Sequence, residues 1–317
     1  MSTTPDAQVL LITEALAESP RSLWHEVRDR IRRSRPAWIS FLTVCAFVLV
    51  ALLAFTPLLT TRIETTVGGP FEPPSIRGVA TLLGTDHLGR SVVFRLLYGT
   101  RVALVVSLSA AVIAAVVGSF FGVLAGYFGR WIDTLVIWLF STLNSIPWIL
   151  LMTAMAYALK DREMVIFGQE IKLVGVPAII IALGLTSWVD LCRLVRGETI
   201  KLRERDFIAA ARAMGLGNSR ILFRHLLPNV SHIVIIDFTL NVISFIQAEV
   251  VLSFLGLGIV DQPSWGRAID DGKLELMRGV WWQMAGATFL IFLLSLALNI
   301  LGDALRDAMD PRLRGRD

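Results

Sequence analysis

Residues 206–229 read DFIAAARAMGLGNSRILFRHLLPN, a basic, glycine-broken stretch set between two runs apolar enough for lipid. It is rich in Ala, carries Arg212, Arg220 and Arg224, and is interrupted by Gly215 and Gly217. On a helix over 204–215, Phe207, Ala210, Ala211 and Met214 fall at i, i+3, i+4 and i+7. That spacing makes a narrow apolar stripe with small residues at its middle. Gly215 and Gly217 end the helix, as glycines do at helix C-termini. Asn218 or Ser219 can cap a second short helix beginning at Arg220, and Pro228 marks the next break. Two uses fit such a bent, water-facing pair of helices. One is an interfacial helix with its arginines on anionic headgroups. The other is a docking knob whose small Ala side chains allow a close fit in a partner's groove.

The surroundings are those of a polytopic membrane protein. Of 317 residues 55% are hydrophobic, above the roughly 45–50% of soluble domains, and mean hydropathy is +0.65. A span needs about 20 mostly apolar residues. Six runs qualify, at about 37–60, 102–126, 133–158, 174–192, 233–258 and 282–302. With the N-terminus in the cytoplasm, 19 of the 30 Lys and Arg fall in inside segments and 11 in outside ones. The positive-inside rule therefore favours both termini, and residues 206–229, on the cytoplasmic side. The same rule accounts for the net charge of +4 without invoking nucleic acid. Residues 1–36 are polar and basic, and the first apolar run is too long for a signal peptide, so it is expected to stay as an anchor. RSLWHEVRDRIRRSR (21–35) has the composition of a helix along the membrane. Cys45 and Cys192 lie in or beside apolar spans and are expected to be free, buried thiols.

The first outer loop contains the Gly/Pro-rich TTVGGPFEPPS, expected to be irregular. A turn and an amphipathic helix are then expected in LLGTDHLGRSVVFRLLYGTR, with Val92, Leu96 and Leu97 on its apolar side. Gly118, Gly122 and Gly126 repeat every four residues in the second run, a pattern that lets another helix approach closely in lipid. That helix belongs either to this chain or to another subunit. In the fifth run Asp237, Asn241 and Ser244 share a helical face, with Gln247 and Glu249 further along. An ionisable residue at a span centre costs about 2.5–3.5 kcal/mol on insertion scales. The face is thus expected to line a translocation path or to contact another helix. Trp265, Trp281 and Trp282 in the last outer loop suit the membrane interface.

Other chemistry is not expected. GRAIDDGKL (266–274) has the wrong glycine spacing for a phosphate-binding loop, and Leu274 where Ser or Thr should follow the Lys. His25, His87, His225 and His232 form no metal-ligand pattern. No nucleophile–base arrangement stands out. The glycosylation sequon at 229–231 falls on the cytoplasmic side of this topology.

Residues 206–229 resemble the cytoplasmic motif of ABC importer permeases: Glu-Ala-Ala, three residues, Gly, nine residues, then Ile-x-Leu-Pro. Ala210, Ala211, Gly215, Leu227 and Pro228 occupy matching places, with Ala209 at the Glu position and His225 at the Ile position. Further stretches resemble the C-type subunit of the dipeptide/oligopeptide/nickel permeases. They are LGTDHLGRSVVFRLLYGTRVAL (83–104), LVRGETIKLRERDFIAAARAMG (194–215), LSFLGLG (252–258), PSWGRAI (263–269) and NILGDALRDAMDPRLRG (299–315), in family order.

The resemblance implies an all-α integral membrane protein with six transmembrane helices, the type I ABC importer transmembrane domain. Its divisions would be a cytoplasmic segment 1–36, a first helix 37–60, an extracytoplasmic loop 61–96, the transmembrane domain 97–305 with its coupling loop 198–230, and a cytoplasmic tail 306–317. The chain would be a non-catalytic subunit in the plasma (bacterial inner) membrane. Expected partners are a second homologous permease, two cytoplasmic ABC ATPase subunits, an extracytoplasmic substrate-binding protein and membrane lipid, with no nucleic acid. No cofactor is expected on this chain, ATP and Mg being used by the ATPases. Phe207, Ala210, Ala211, Met214, Gly215, Leu227 and Pro228 would couple to the ATPase. The implied cargo is a di- or oligopeptide; relatives carrying nickel, glutathione or oligosaccharide share the motifs. The rival is an ion-coupled secondary transporter. It is expected to show paired repeats and leaves residues 206–229 without a use. A membrane scaffold is a third alternative.

Overall fold

The computed structural model describes residues 31–309, apart from Arg33, Asp161, Phe167, Gly168 and Val174. The expectations for residues 1–30, and for most of the tail, lie outside the described residues. Helix α1 (Arg35–Leu53) carries Pro36 in its first turn, tolerated there because that turn has no use for its missing N–H. The expected first run to residue 60 is shorter as a helix. The chain turns at Ala54–Thr56, and Pro57 opens a separate turn, α2 (Pro57–Thr60). Helix α3 (Val92–Phe128) has 37 residues, about 55 Å at 1.5 Å per residue, against a hydrocarbon core of about 30 Å. The expected amphipathic outer helix is therefore the first turns of this one long rod, capped by the Ser91 hydroxyl accepting from the Phe94 N–H.

The third run does not form a straight span. Helices α4 (Arg130–Asn144) and α5 (Trp148–Leu159) meet at 92°. Pro147 cannot continue the donor ladder and restricts the residue before it, which fixes the break at Ser145–Pro147. A short antiparallel hairpin follows, β1 (Arg162–Ile166) with β2 (Gln169–Leu173), Ile166 opposite Gln169. Helices α6 (Val176–Thr186) and α7 (Val189–Arg203) together make one 28-residue apolar run.

The glycine stripe belongs inside this chain. A Cβ on Gly118 would stand 2.8 Å from the Trp188 carbonyl oxygen, one on Gly122 2.8 Å from that of Cys192, and one on Gly126 2.6 Å from the Thr199 Cβ. Gly184 likewise meets Ile113. Along these contacts both chains of residue numbers rise together, so α3 and α6–α7 run parallel. Parallel neighbours require the chain to return across the layer between them. The bent pair α4–α5 makes that return, and with the five other long apolar runs it gives six crossings.

Helix α8 (Asp206–Ala213) and the turn α9 (Asn218–Ile221) lead through a π-helical turn, Leu222–Leu226, into α10 (Leu227–Phe254). Pro228 sits in the first turn of α10 and makes no break, because the wider π turn before it carries the chain on helically. The last elements are α11 (Trp265–Leu276) and α12 (Trp282–Met309). The Ala54 carbonyl accepts from Arg101 near the start of α3, and Tyr127 at its end bonds Asn218. The end of α1, the start of α12 and all of α11 thus share one face. The start of α1, the end of α12 and residues 204–226 share the other.

On the first of these faces the loop before α3 is irregular, as expected, but firmly tied. Asp86, 1% exposed, accepts from the N–H groups of Leu88 and Arg90 and from the Arg90 guanidinium at 2.8–2.9 Å. Burial alone would raise its carboxyl, yet these donors outweigh it and hold the group below its ordinary value. Trp282 donates to the Thr85 carbonyl and Trp265 to that of Leu96. Of the three loop tryptophans, Trp265 and Trp282 are buried structural ties, and Trp281 is exposed as an interfacial Trp would be. Cys192 is buried as expected, while Cys45 is exposed on the outside of α1.

Candidate functional site

The apolar stripe of α8 divides in two. Ala211 and Ile208 are buried to 1% and 0% exposure, packed with Tyr127, Leu191, Val195, Ile221 and Leu226. Phe207, Ala210 and Met214 face outward, and Phe223 adds 65% exposure nearby. Ala211, expected on the docking face, is therefore part of the base of the knob. Ile208, which lies off the expected stripe, is its main anchor. The signal was there: Ile208 and Ala211 are also i and i+3.

The knob ends as its glycine demands. Gly215 lies at φ +77°, and the Leu216 N–H donates back to the Ala211 carbonyl, the long bond of a Schellman ending. No atom lies within 4 Å of a Cβ built at Gly215, so only backbone strain opposes a side chain there. Asn218 does not cap α9. Its side-chain oxygen accepts from the Tyr127 hydroxyl at 2.9 Å, while Arg212 lies over the Tyr127 ring and Arg203 donates to the Gly126 carbonyl. These ties join the knob to the end of α3. Leu227 is half-buried and Pro228 exposed at the entry to α10.

The polar residues of α10 also separate. Leu240, Ser244, Gln247, Val251 and Phe254 form one exposed stripe at helical spacing, with Asp237 and Asn241 half-buried along its start. Asn241 donates to the Asp237 carboxylate at 2.6 Å, and Asp190 on α7, paired with Arg193, lies within electrostatic reach of Asp237. Glu249 does not belong to this stripe. It is 1% exposed and turned into the chain, accepting from the Ser253 hydroxyl at 3.0 Å. Its distance along the sequence placed it with the path residues, but the helical phase puts it on the opposite, packed side.

A bundle of six crossings, with a rigid knob fixed to the ends of its spans and a polar stripe on one open helix, defines a membrane-embedded transport subunit. Residues 118–315 match the model of the binding-protein-dependent transport system inner membrane components. Residues 22–74 match the N-terminal transmembrane domain of oligopeptide transport permease C. The chain is 34% identical over 296 residues to the dipeptide transport system permease protein DppC of Alkalihalophilus pseudofirmus, covering 92% of this chain and 91% of that one. It is 38% identical over 232 residues to DppC of Bacillus subtilis, covering 73% and 68%. It is 35% identical over 305 residues to the oligopeptide transport system permease protein OppC of Escherichia coli, covering 95% of each. The chain belongs to this family, as a C-type permease subunit of an ABC importer.

Proposed function

We propose that this subunit passes di- or oligopeptides across the plasma membrane and is driven through α8 by ATPases on the cytoplasmic side. The observation that carries the proposal is the divided stripe of α8. Ile208 and Ala211 fix the knob to the spans, and Phe207, Ala210 and Met214 remain free for a soluble partner. A lipid-lying helix would need no such rigid base. The face bearing the knob also bears both ends of the described chain, and the excess of Lys and Arg supports its cytoplasmic assignment. ATP and Mg would then act on two ATPase subunits, with no catalysis on this chain. Asp237, Asn241, Ser244 and Gln247 would line a path closed on its far side by a second permease subunit. The opposite face would receive a substrate-binding protein. Peptide cargo rests on the names of the relatives; nickel, glutathione or oligosaccharide would use the same architecture.

The test is mass spectrometry of what co-purifies with the tagged chain from native membranes in mild detergent, followed by uptake in vesicles. A second six-span permease with ATPases, and ATP-dependent uptake of labelled dipeptide, is the expected result. A chain that purifies alone and transports on an ion gradient would overturn the proposal.

A further inference from the structure

Glu249 is a buried carboxylate left without a use by the path. Among the described residues no Lys or Arg pairs with it. Its surroundings are the first turn of α11 instead. Besides the Ser253 hydroxyl, it lies against the Ser264 hydroxyl and the Gly266 N–H. Ser264 is itself the cap of α11, accepting from the Arg267 N–H at 3.1 Å. The notch is shaped to admit this group. A Cβ on Gly266 would stand 2.6 Å from that of Ser253 and 3.0 Å from Glu249 Oε2, and one on Gly258 would stand 2.3 Å from the Ser253 Cα. A buried carboxylate is costly unless donors answer it. One donor, the Ser253 hydroxyl, is on α10 itself, and the other two, the Ser264 hydroxyl and the Gly266 N–H, belong to the positive end of α11. Separating α11 from α10 would leave this buried charge with the Ser253 hydroxyl alone, a cost that opposes moving one helix without the other.

At its other end α10 joins the knob. The helical path from Asn218 to Phe254 has 37 residues, and Leu222, Leu226 and Val230 at its start pack with Ile208 and Ala211. Trp265 anchors α11 to α3 through the Leu96 carbonyl and meets the Phe47 ring edge-on, a pivot beside the Glu249 contact. We infer that Glu249 is a positioning residue that pins α11 to α10, so that displacement of the knob moves α11 on the opposite face about Trp265 and gates the outer entrance. The inference rests on the proposed role of α8 as the driven element.

The test uses the complete transporter with its ATPases in proteoliposomes, with Cys45 and Cys192 replaced. Spin labels go on exposed Leu88 and Leu274, the first fixed beside α3 and the second on α11. In the parent protein the Leu88–Leu274 distance is expected to change between nucleotide-free and ATP-trapped states. Glu249→Ala is expected to abolish that change, keep ATP hydrolysis, and lower uptake per ATP about tenfold, the effect of losing a buried charge-assisted hydrogen bond. Glu249→Gln keeps an acceptor but turns a donor toward the Gly266 N–H, and is expected to fall between. It serves as the deciding variant where Glu249→Ala does not fold. A distance that ignores nucleotide in the parent, or an unchanged coupling ratio and distance change in the variants, overturns the inference. Gly215→Val in the same vesicles separates the two ideas. Impaired coupling there with normal Glu249 variants sinks only the pin, whereas normal coupling in Gly215→Val sinks the role of α8.

Discussion

Replacing Ile208 by Ala should free the knob without unfolding the protein. The substitution removes three carbons from a side chain with 0% exposure. At about 0.8 kcal/mol per buried carbon the transfer term is about 2.5 kcal/mol, and the cavity left behind extends the range to about 2–5 kcal/mol. Ile208 and Ala211 are the only buried side chains of α8. Nearly all the apolar energy that docks this helix is therefore at stake, while the spans keep their own packing. A loss of about 2.7 kcal/mol is a hundredfold change in the docked population. Amide hydrogen exchange over 206–213 in the detergent-solubilised chain should speed up by about that factor, with the spans unchanged. In vesicles, uptake per ATP should fall. Phe207→Ala is the contrast. Phe207 is 41% exposed, so its exchange pattern should stay as in the parent, while ATPase binding weakens by about tenfold, as for a single interface anchor. Unchanged exchange over 206–213 in Ile208→Ala would refute the reasoning, because the helix would then be held by something other than this anchor.

Gly122→Leu should abolish stable insertion, since even a Cβ there meets the Cys192 carbonyl and Val195 at 2.8 Å and overpacking costs about 1–3 kcal/mol or more; normal yield by fluorescence-detected chromatography would contradict the parallel α3–α7 seam. Asp237→Ala should alter uptake rate or cargo preference in vesicles while ATP hydrolysis persists, and unchanged transport would remove Asp237 from the path. Glu275, on α11, has its carboxyl pushed up to about 6 by burial and then by Asp271 and Asp86, against the pull of Arg278 and Arg95. Its folded value lies above its unfolded one of 4.5, so the folded state keeps a proton the unfolded state has lost between those values. Stability should rise as pH falls from 7 toward 5. Glu275→Gln should remove that slope and stabilise the protein by roughly 1 kcal/mol at pH 7.5, read as Tm against pH.

Much of this was legible in the sequence. Six crossings and the water-facing stretch 206–229 follow from hydropathy and charge, because lipid imposes a one-dimensional constraint on each span. The bend at Pro147 was equally visible as a residue, yet a hydropathy window averages over it. The two uses of α8 could not be separated either, since periodicity gives a face but not which neighbour meets it. Phe207 and Ile208 are adjacent and both apolar; only the packing against Tyr127 and Leu226 turns one inward and the other out. Glu249 shows the same limit. Its spacing from Gln247 is two residues, about 200° around a helix, enough to place one on an open stripe and the other in a sealed notch.

Burial within the chain is unevenly distributed among the spans. The most apolar stretches of α3 and α6–α7 are 56% and 61% buried within this chain, while that of the continuous helical run Asn218–Phe254, which contains α10, is 33%. The glycine seam makes α3 and α7 the fixed centre, and α10 lies at the margin. Apolar margins, such as Phe289, Phe292 and Leu296 on the outside of α12, are satisfied by lipid. The open stripe of α10 is not of that kind, because it mixes Ser244 and Gln247 with Leu240 and Val251. Ser244 returns its hydroxyl to the Leu240 carbonyl, as serines in spans do, but a Gln247 amide in hydrocarbon has no such refuge and would cost several kcal/mol. This stripe therefore demands water or a polar neighbour at membrane depth. In the proposed assembly, a second permease subunit facing α10 across an aqueous path would meet both demands at once. Gln247→Leu should accordingly leave folding and ATPase binding intact and reduce uptake; faster or unchanged uptake would mean that lipid, not a path, faces this helix.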